Sequence, residues 1–264
     1  IAPFDAWAQE LAQTGYLHNH ARMWFASIWI FTLRLPWQLG ADFFLRHLLD
    51  GDAAVNTLSW RWVAGIQTQG KTYLATPENI EKFTGGRFGD VHGLATSAAP
   101  VSAPPPPARR DIPELEDYSG APADRVGLLL HSDDLVAPDL ARWGIEPIST
   151  AYLECTALQS PWHIAPVVTK FRSALARDVA PDALHLANAQ ALCDWAAEHD
   201  LNQIITPHAP VGPVRTTLRT ARSEGIVPIT EVRRDIDSAA WPLATAGFFK
   251  FRAHIPDLLD RFAR

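Results

Sequence analysis

The sequence predicts a multi-domain protein, all-α through its first third and α/β with a parallel sheet through its last half. Three observations carry this. Apolar residues recur at helical spacing from Phe4 to about Ala64. A Pro-rich stretch follows, with Pro100, Pro104 to Pro107, Pro113 and Pro122 set among Ala, Ser and Gly. Beyond it, strand-like runs alternate with helical ones, the order that builds a parallel sheet flanked by helices.

In chain order, Phe4, Trp7, Ala8 and Leu11 form a helical stripe that Gly15 stops. A second helix is expected from about Leu17 to Leu33, ended by Pro36. A third runs from about Gln38 to Leu49. The turn Asp50-Gly51-Asp52 supplies an acidic cap for a fourth, roughly Ala53 to Ala64. Residues 1–92 are therefore expected to be one helical domain. Residues 93–124 read as an extended linker, because that composition cannot build a core. In residues 125–264, strands are expected at Val126–His131, Pro147–Leu153, Gln203–Thr206 and Ile226–Thr230. Helices are expected at Val167–Arg177, Ala187–His199 and Gly212–Ser223.

Composition narrows the function classes. The chain has 264 residues, 47% hydrophobic and 20% charged, enough for sizeable cores. Twenty-nine acids against 23 bases leave a net charge of −6, which argues against a general polyanion binder but allows a local basic patch. Two cysteines, Cys155 and Cys193, make no disulfide framework, so a reducing cytoplasm is the expected setting. No run of 18 apolar residues is free of charge, so no ordinary membrane span and no membrane partner are expected. No signal peptide is read. Met23 is the sole methionine and the chain opens inside a helical pattern, so an N-terminally truncated fragment is expected. Six of the ten tryptophans fall within the first 62 residues.

Two segments carry candidate chemistry. In Gly15 to Met23, His18 and Arg22 share one helical face and Asn19 and Met23 the next. This is either a solvated polar face or a site. A His-x-His metal site is not expected, because no third well-spaced ligand follows. In Leu49 to Trp62, Asp52, Asn56 and Trp60 lie at i, i+4 and i+8, one stripe of carboxylate, amide and indole. Asp50 lies off the helix end, free to pair with a base such as Arg22. The plainer reading is a capped helix with core tryptophans. A calcium loop fails, because Arg61 stands where its twelfth-position Glu would be.

Together these segments resemble the C-terminal part of the FAD-binding domain of the DNA photolyase/cryptochrome family. Gly15 to Met23 is similar to the family's Gly-Trp-Met-His-Asn-Arg-x-Arg-Met motif. Asp50 to Trp62 is similar to its Asp-Gly-Asp…Asn…Trp-x-Trp motif. The resemblance implies FAD as cofactor, bound by Asn19, Arg22, Asp50, Asp52 and Asn56. It puts Asn56 opposite the reactive ring nitrogen, Arg22 and Asp50 in a buried salt bridge beside the ring, and Asp52 near its polar edge. It makes Trp60 and Trp37 the proximal and middle members of an electron-passing tryptophan chain, so that Trp60, Trp37 and Asn56 are the catalytic set. It assigns Asn19, His20, Met23 and Trp62 to a pocket for a pyrimidine dimer flipped out of damaged DNA.

The implied function is light-driven repair of cyclobutane pyrimidine dimers, a carbon–carbon lyase reaction. The alternative is a cryptochrome-type blue-light photosensor without repair. A third reading is a cofactor-free helical module joined to a partner-binding domain. The fragment alone is expected to be inactive, since the family's phosphate-cradling segment and distal tryptophan would lie upstream. The chain departs from the family at His20 (commonly Arg), Arg61 (commonly Gln), and Tyr16 and Leu17 (usually Trp-Met). Residues 125–264 resemble, more weakly, the family's Rossmann-like antenna domain in a permuted order, which implies a second, antenna chromophore. There the loop Pro207 to Gly212 between strand and helix is either an anion- or chromophore-binding turn or a proline-stiffened connection. Cys155, Cys193, Trp162, Trp195 and Trp241 are expected to pack in or beside the core, and the protein to be a monomer.

Overall fold

The computed structural model describes residues 1–68, 70–104, 108, 110–115 and 124–262. The expected linker prolines Pro105 to Pro107 and Pro122 lie outside the described residues. The chain forms two compact units, one of residues 1–106 with 156–174, the other of 107–155 with 175–264. Residues 156–174 were expected in the α/β domain. They pack instead in the helical unit, where the Ala165 N–H donates to Arg46 O at 2.9 Å and Ser160 Oγ to Asp42 Oδ1 at 2.7 Å.

The first unit is all-α. Helix α1 (Ala2–Thr14) ends where Gly15 takes a left-handed φ of 73°. A side chain there would also collide with Leu49, whose Cγ would lie 2.6 Å from an added Cβ. Gly15 thus brings the start of the next helix against the turn before α4, and its carbonyl accepts from the Leu49 N–H at 2.9 Å. Helix α2 (Asn19–Ser27) starts two residues later than the periodicity predicts, because His18 is its cap: His18 Nδ1 accepts from the His20 N–H. The helix then widens into a π-turn over Ile28–Thr32, closed by the Leu33 N–H to Ile28 O at 2.9 Å. Helices α3 (Trp37–His47) and α4 (Ala53–Val63) follow, and Asp52 caps α4 by accepting from the Val55 N–H at 2.7 Å. A short helix not expected from the sequence, α5 (Pro77–Phe83), starts at the capping Thr76. The core joins Trp7, Trp24, Phe25, Phe44 and Trp60, each at most 3% exposed.

The second unit is α/β. Strands β1 (Val126–His131), β2 (Ser149–Leu153), β3 (Leu184–Leu186), β4 (Gln203–Pro207) and β5 (Ile229–Val232) form one parallel sheet in the order β3-β2-β1-β4-β5. β1 is buried along its whole length, as a central parallel strand should be. Helices α7 (Ala189–Glu198) and α8 (Pro213–Ser223) are expected ones, and the helix expected at Val167–Arg177 forms as α6 (Pro166–Val179), of which only residues 175–179 fall in this unit. β3 was not expected, because three residues are too short to show a period. Helices α9 (Asp235–Ala240), α10 (Phe248–Arg252) and α11 (Ile255–Phe262) follow β5. No helix among the described residues is long and apolar enough to cross a membrane.

Candidate functional site

A cleft of about 470 Å³ lies between the starts of α2 and α4. It is lined by Asn19, Arg22 and Met23 of α2, by Asp50 and Gly51 of the turn, and by Asp52, Asn56, Trp60 and Trp62 of the α4 segment. The two sequence segments singled out thus meet at one place.

Local packing explains the meeting. α4 settles on two small residues of α3. Asn56 Nδ2 donates to Ala41 O at 2.7 Å, and the Trp60 ring lies over Gly40, where an added Cβ would come within 2.2 Å of Trp60 Cη2. With its NH₂ held by that carbonyl, Asn56 has its Oδ1 left to accept a hydrogen bond from a ligand. Arg22 is anchored by Nε to Leu17 O at 2.8 Å and clamps both Asp50 oxygens with Nη2, at 3.1 and 3.0 Å. The pair was expected to be buried; the Asp50 side chain is 60% exposed and that of Arg22 25%. The cause is position: Asp50 sits in the turn preceding α4, at the rim rather than the floor. Asp52 lines the same rim but spends Oδ1 on its own helix.

Trp60 closes the floor, 2% exposed, with near-perpendicular ring contacts to Phe44 (5.0 Å), Trp29 (6.2 Å) and Phe25 (6.4 Å). Trp62 stands at the mouth, 44% exposed. Two expected site residues are elsewhere. His20 is not among the residues lining the cleft. The first turn of α2 aims its ring into a stack with Phe83 (4.8 Å), His18 (5.4 Å) and Trp24 (5.6 Å). Trp37 is also outside the cleft, at the start of α3 beneath the Arg61 guanidinium, which lies 5.8 Å from its ring. Phe44, Leu48 and Val63 line the cleft as well and were not read as site residues, since apolar residues at helical spacing look like ordinary core.

These groups fit a flavin. The floor is apolar, one uncharged amide offers an acceptor, and a guanidinium stands at the edge beside polar carboxylates. The volume falls within the ~300–1,000 Å³ common for ligand sites.

The second unit has its own crevice, about 390 Å³, at the carboxyl ends of β1, β4 and β5. Here the sheet order reverses direction between β1 and β4, the usual place for a ligand in such folds. Asp134, His208, Arg234, Trp241 and Phe251 are among its lining residues. His208 is part of the predicted loop, and its Nδ1 donates to Glu231 Oε2 at 2.9 Å while its Nε2 accepts from Arg215 at 3.2 Å. Trp195 is core, as expected, but Trp162 (51% exposed) and Trp241 (41%) are not. Both lie under arginines, Arg46 over Trp162 and Arg233 over Trp241, because their loop and short-helix positions offer no apolar layer to enter. Cys155 is buried and Cys193 half-buried, as read.

Residues 2–84 match the family model described as the FAD-binding domain of DNA photolyase. A deoxyribodipyrimidine photo-lyase of Streptomyces griseus is 50% identical over 64 residues, 24% of this chain and 14% of that protein. The Vibrio cholerae enzyme of the same name is 39% identical over 117 residues, 44% of this chain and 22% of that protein. That of Thermus thermophilus is 42% identical over 69 residues, 26% and 16% respectively. The chain thus spans between about a seventh and a fifth of the length of these relatives. No solved structure matches it. Over residues 2–84 the helical part of this chain is thus similar to the FAD-binding domain of DNA photolyase.

Proposed function

We propose that the cleft is the ring-facing part of a FAD site in a light-driven DNA photolyase that splits cyclobutane pyrimidine dimers. The observation that carries this reading is the meeting of Asn56, Arg22 and Asp50 at one cleft over the Trp60 floor. FAD, when bound, supplies the light-absorbing redox centre. The chain's residues orient and tune it. Asn56 offers Oδ1 to a ring N–H without adding charge. Arg22, held rigid by Leu17 O and Asp50, places a cation where negative charge on the ring needs a partner. Asp52 accepts at the polar edge. Buried Trp60 is the first electron donor and Trp37 a later one. Asn19, Met23 and Trp62 form the lesion side: a flat indole and a thioether suit an apolar, flipped dinucleotide. Damaged DNA is the partner, and the protein acts as a monomer in the cytoplasm. On the same reading, the crevice of the second unit takes a second, light-harvesting chromophore against Trp241 and Phe251.

The test supplies the protein with FAD, reduces it, adds a dimer-containing oligonucleotide and illuminates with blue light. Light-dependent restoration of thymines in proportion to the flavin held would support repair. No restoration alongside normal flavin photoreduction would replace repair with a cryptochrome-type photosensor. Failure to take up flavin even at high concentration would favour the cofactor-free module.

A further inference from the structure

We infer that Arg172 is a positioning residue for the cleft: it fixes the peptide that joins Gly51 to Asp52, and with it the polar rim. Its effect on a cofactor rests on the flavin reading above. Arg172 lies on α6, 121 residues beyond Gly51, so no spacing in the sequence links the two. Its Nη2 donates to Gly51 O at 2.9 Å. Its Nη1 donates to Gln159 Oε1 at 2.9 Å and to Thr156 Oγ1 at 3.4 Å, so the guanidinium is held from behind.

The strap that carries Arg172, residues 156–174 of the helical unit, is itself fastened down. Ser160 Oγ and Arg46 Nε both donate to the Asp42 carboxylate, at 2.7 Å each, and Arg46 Nη1 donates to His163 O at 3.3 Å. Beyond them Ile164, Ala165 and Val168, each at most 8% exposed, pack against Leu49. The turn is therefore gripped twice, at Leu49 by apolar contact and at Gly51 by a charge-assisted hydrogen bond. Asp50, the partner of Arg22, stands between those two fixed points.

Gly51 makes such a grip matter. Glycine has no Cβ to select one backbone orientation, so a peptide beside it turns over at low cost. The 51–52 peptide is trans, which puts the Asp52 N–H on the side opposite the Gly51 carbonyl. By holding that carbonyl, Arg172 keeps the N–H facing away from the strap. Gly51 and Asp52 both line the cleft, so a turned peptide would exchange donor and acceptor at its rim. An N–H dipole there favours added negative charge on a bound ring, and a carbonyl opposes it. Arg172 thus acts through the turn, without touching the ligand, and its influence is larger on a reduced flavin than on an oxidised one.

Two measurements on the full chain test this. In the first, no flavin is present, and amide hydrogen exchange is followed by NMR at Leu49, Gly51 and Asp52, with Trp60 in the middle of α4 as the reference. Arg172→Met is expected to speed exchange at the turn about tenfold relative to Trp60, as loss of a hydrogen bond from a charged group should. If Arg172→Met unfolds, shown by Trp60 exchanging as fast as the turn, Arg172→Lys carries the comparison. It keeps the charge and one donor, and is expected to speed the turn by about threefold with Trp60 still slow. In the second, oxidised FAD and, without oxygen, reduced FAD are titrated separately. The same substitution is expected to weaken the oxidised form about threefold and the reduced form about tenfold, with Arg172→Lys recovering most of the difference. Unchanged exchange at the turn, or equal weakening of the two flavin forms, overturns the proposal. Fast exchange at the turn with no FAD taken up in either form by any variant, the unsubstituted protein included, sinks the flavin reading and leaves the hold of Arg172 on the turn standing.

Discussion

Asn56 owes its orientation to one hydrogen bond, and Glu231 owes its charge to three. Burial alone would push the Glu231 carboxyl up. Hydrogen bonds from His208, the Ala209 N–H and Arg222, with the charge of Arg222, outweigh burial and bring it from 4.5 to about 2. The folded state therefore binds this proton less readily than the unfolded chain. The stabilisation is complete above the unfolded value near 4.5 and is lost as pH falls from there through about 2. A shift of this size sets an upper bound of about 3 kcal/mol, which solvent screening reduces. Thermal melts at pH 7, 4 and 3 should show the α/β unit losing stability across the last two. Glu231→Gln should melt lower at pH 7 and lose less between pH 4 and 3. Parallel pH profiles for the two proteins would show that the His208–Glu231–Arg222 cluster carries no such linkage. Glu231 was not singled out in the sequence, because its partners come from the loop after β4 and from α8, and no spacing links them.

At the scale of elements, the site rests on how closely α4 can approach α3. Gly40 makes that approach, and an added Cβ would meet Trp60 Cη2 and Cζ3 at 2.2 and 2.4 Å. Alanine gains about 1 kcal/mol of helix propensity over glycine. Overpacking costs about 1–3 kcal/mol, and here the neighbour is a rigid indole fixed by Phe25, Trp29 and Phe44. Gly40→Ala is expected to lower stability on balance in denaturant titrations, and Trp60→Phe in the same protein to recover part of the loss. A Gly40→Ala protein as stable as its parent would mean that α4 can shift without cost. Sequence showed much of this region. Asp52, Asn56 and Trp60 share a helical face, and the turn at Asp50 frees a carboxylate for Arg22, so both segments converge as their spacing implies. It hid the π-turn, since one extra residue per turn leaves no periodic mark over five residues. It hid the exposure of the Arg22–Asp50 pair and the turning away of His20, because those depend on which elements cover them. The short pieces β3, α5, α9 and α10 were illegible for the simplest reason: each is shorter than the window that a period needs.

At the scale of the whole molecule, the cleft is built but not enclosed. Val55, Leu58 and Trp62 line it at 65%, 50% and 44% exposure, and the Asp50 side chain is 60% exposed. A drug-sized ligand in a high-affinity site has about 70–90% of its surface covered. An exposed ion pair gives about 0–1 kcal/mol, so Arg22 and Asp50 cannot compensate for the missing cover. The three apolar side chains also form a wet wall that a flavin would cover on one side only. This chain is therefore expected to bind FAD weakly, losing it on gel filtration and holding it only at high added concentration. Fluorescence titration should give a dissociation constant of about 10 µM or weaker, near 7 kcal/mol of binding free energy. Asn56→Leu should weaken what binding there is, because it replaces the amide held over the Trp60 floor by an apolar group. Stoichiometric FAD retained through purification of these 264 residues would mean that the exposed wall of the cleft does not limit binding. The weak-binding outcome has its own consequence for repair. Where the flavin is half-covered, water reaches the ring and the lesion pocket alike, so any dimer splitting by this chain should be slight even when added FAD fills the cleft.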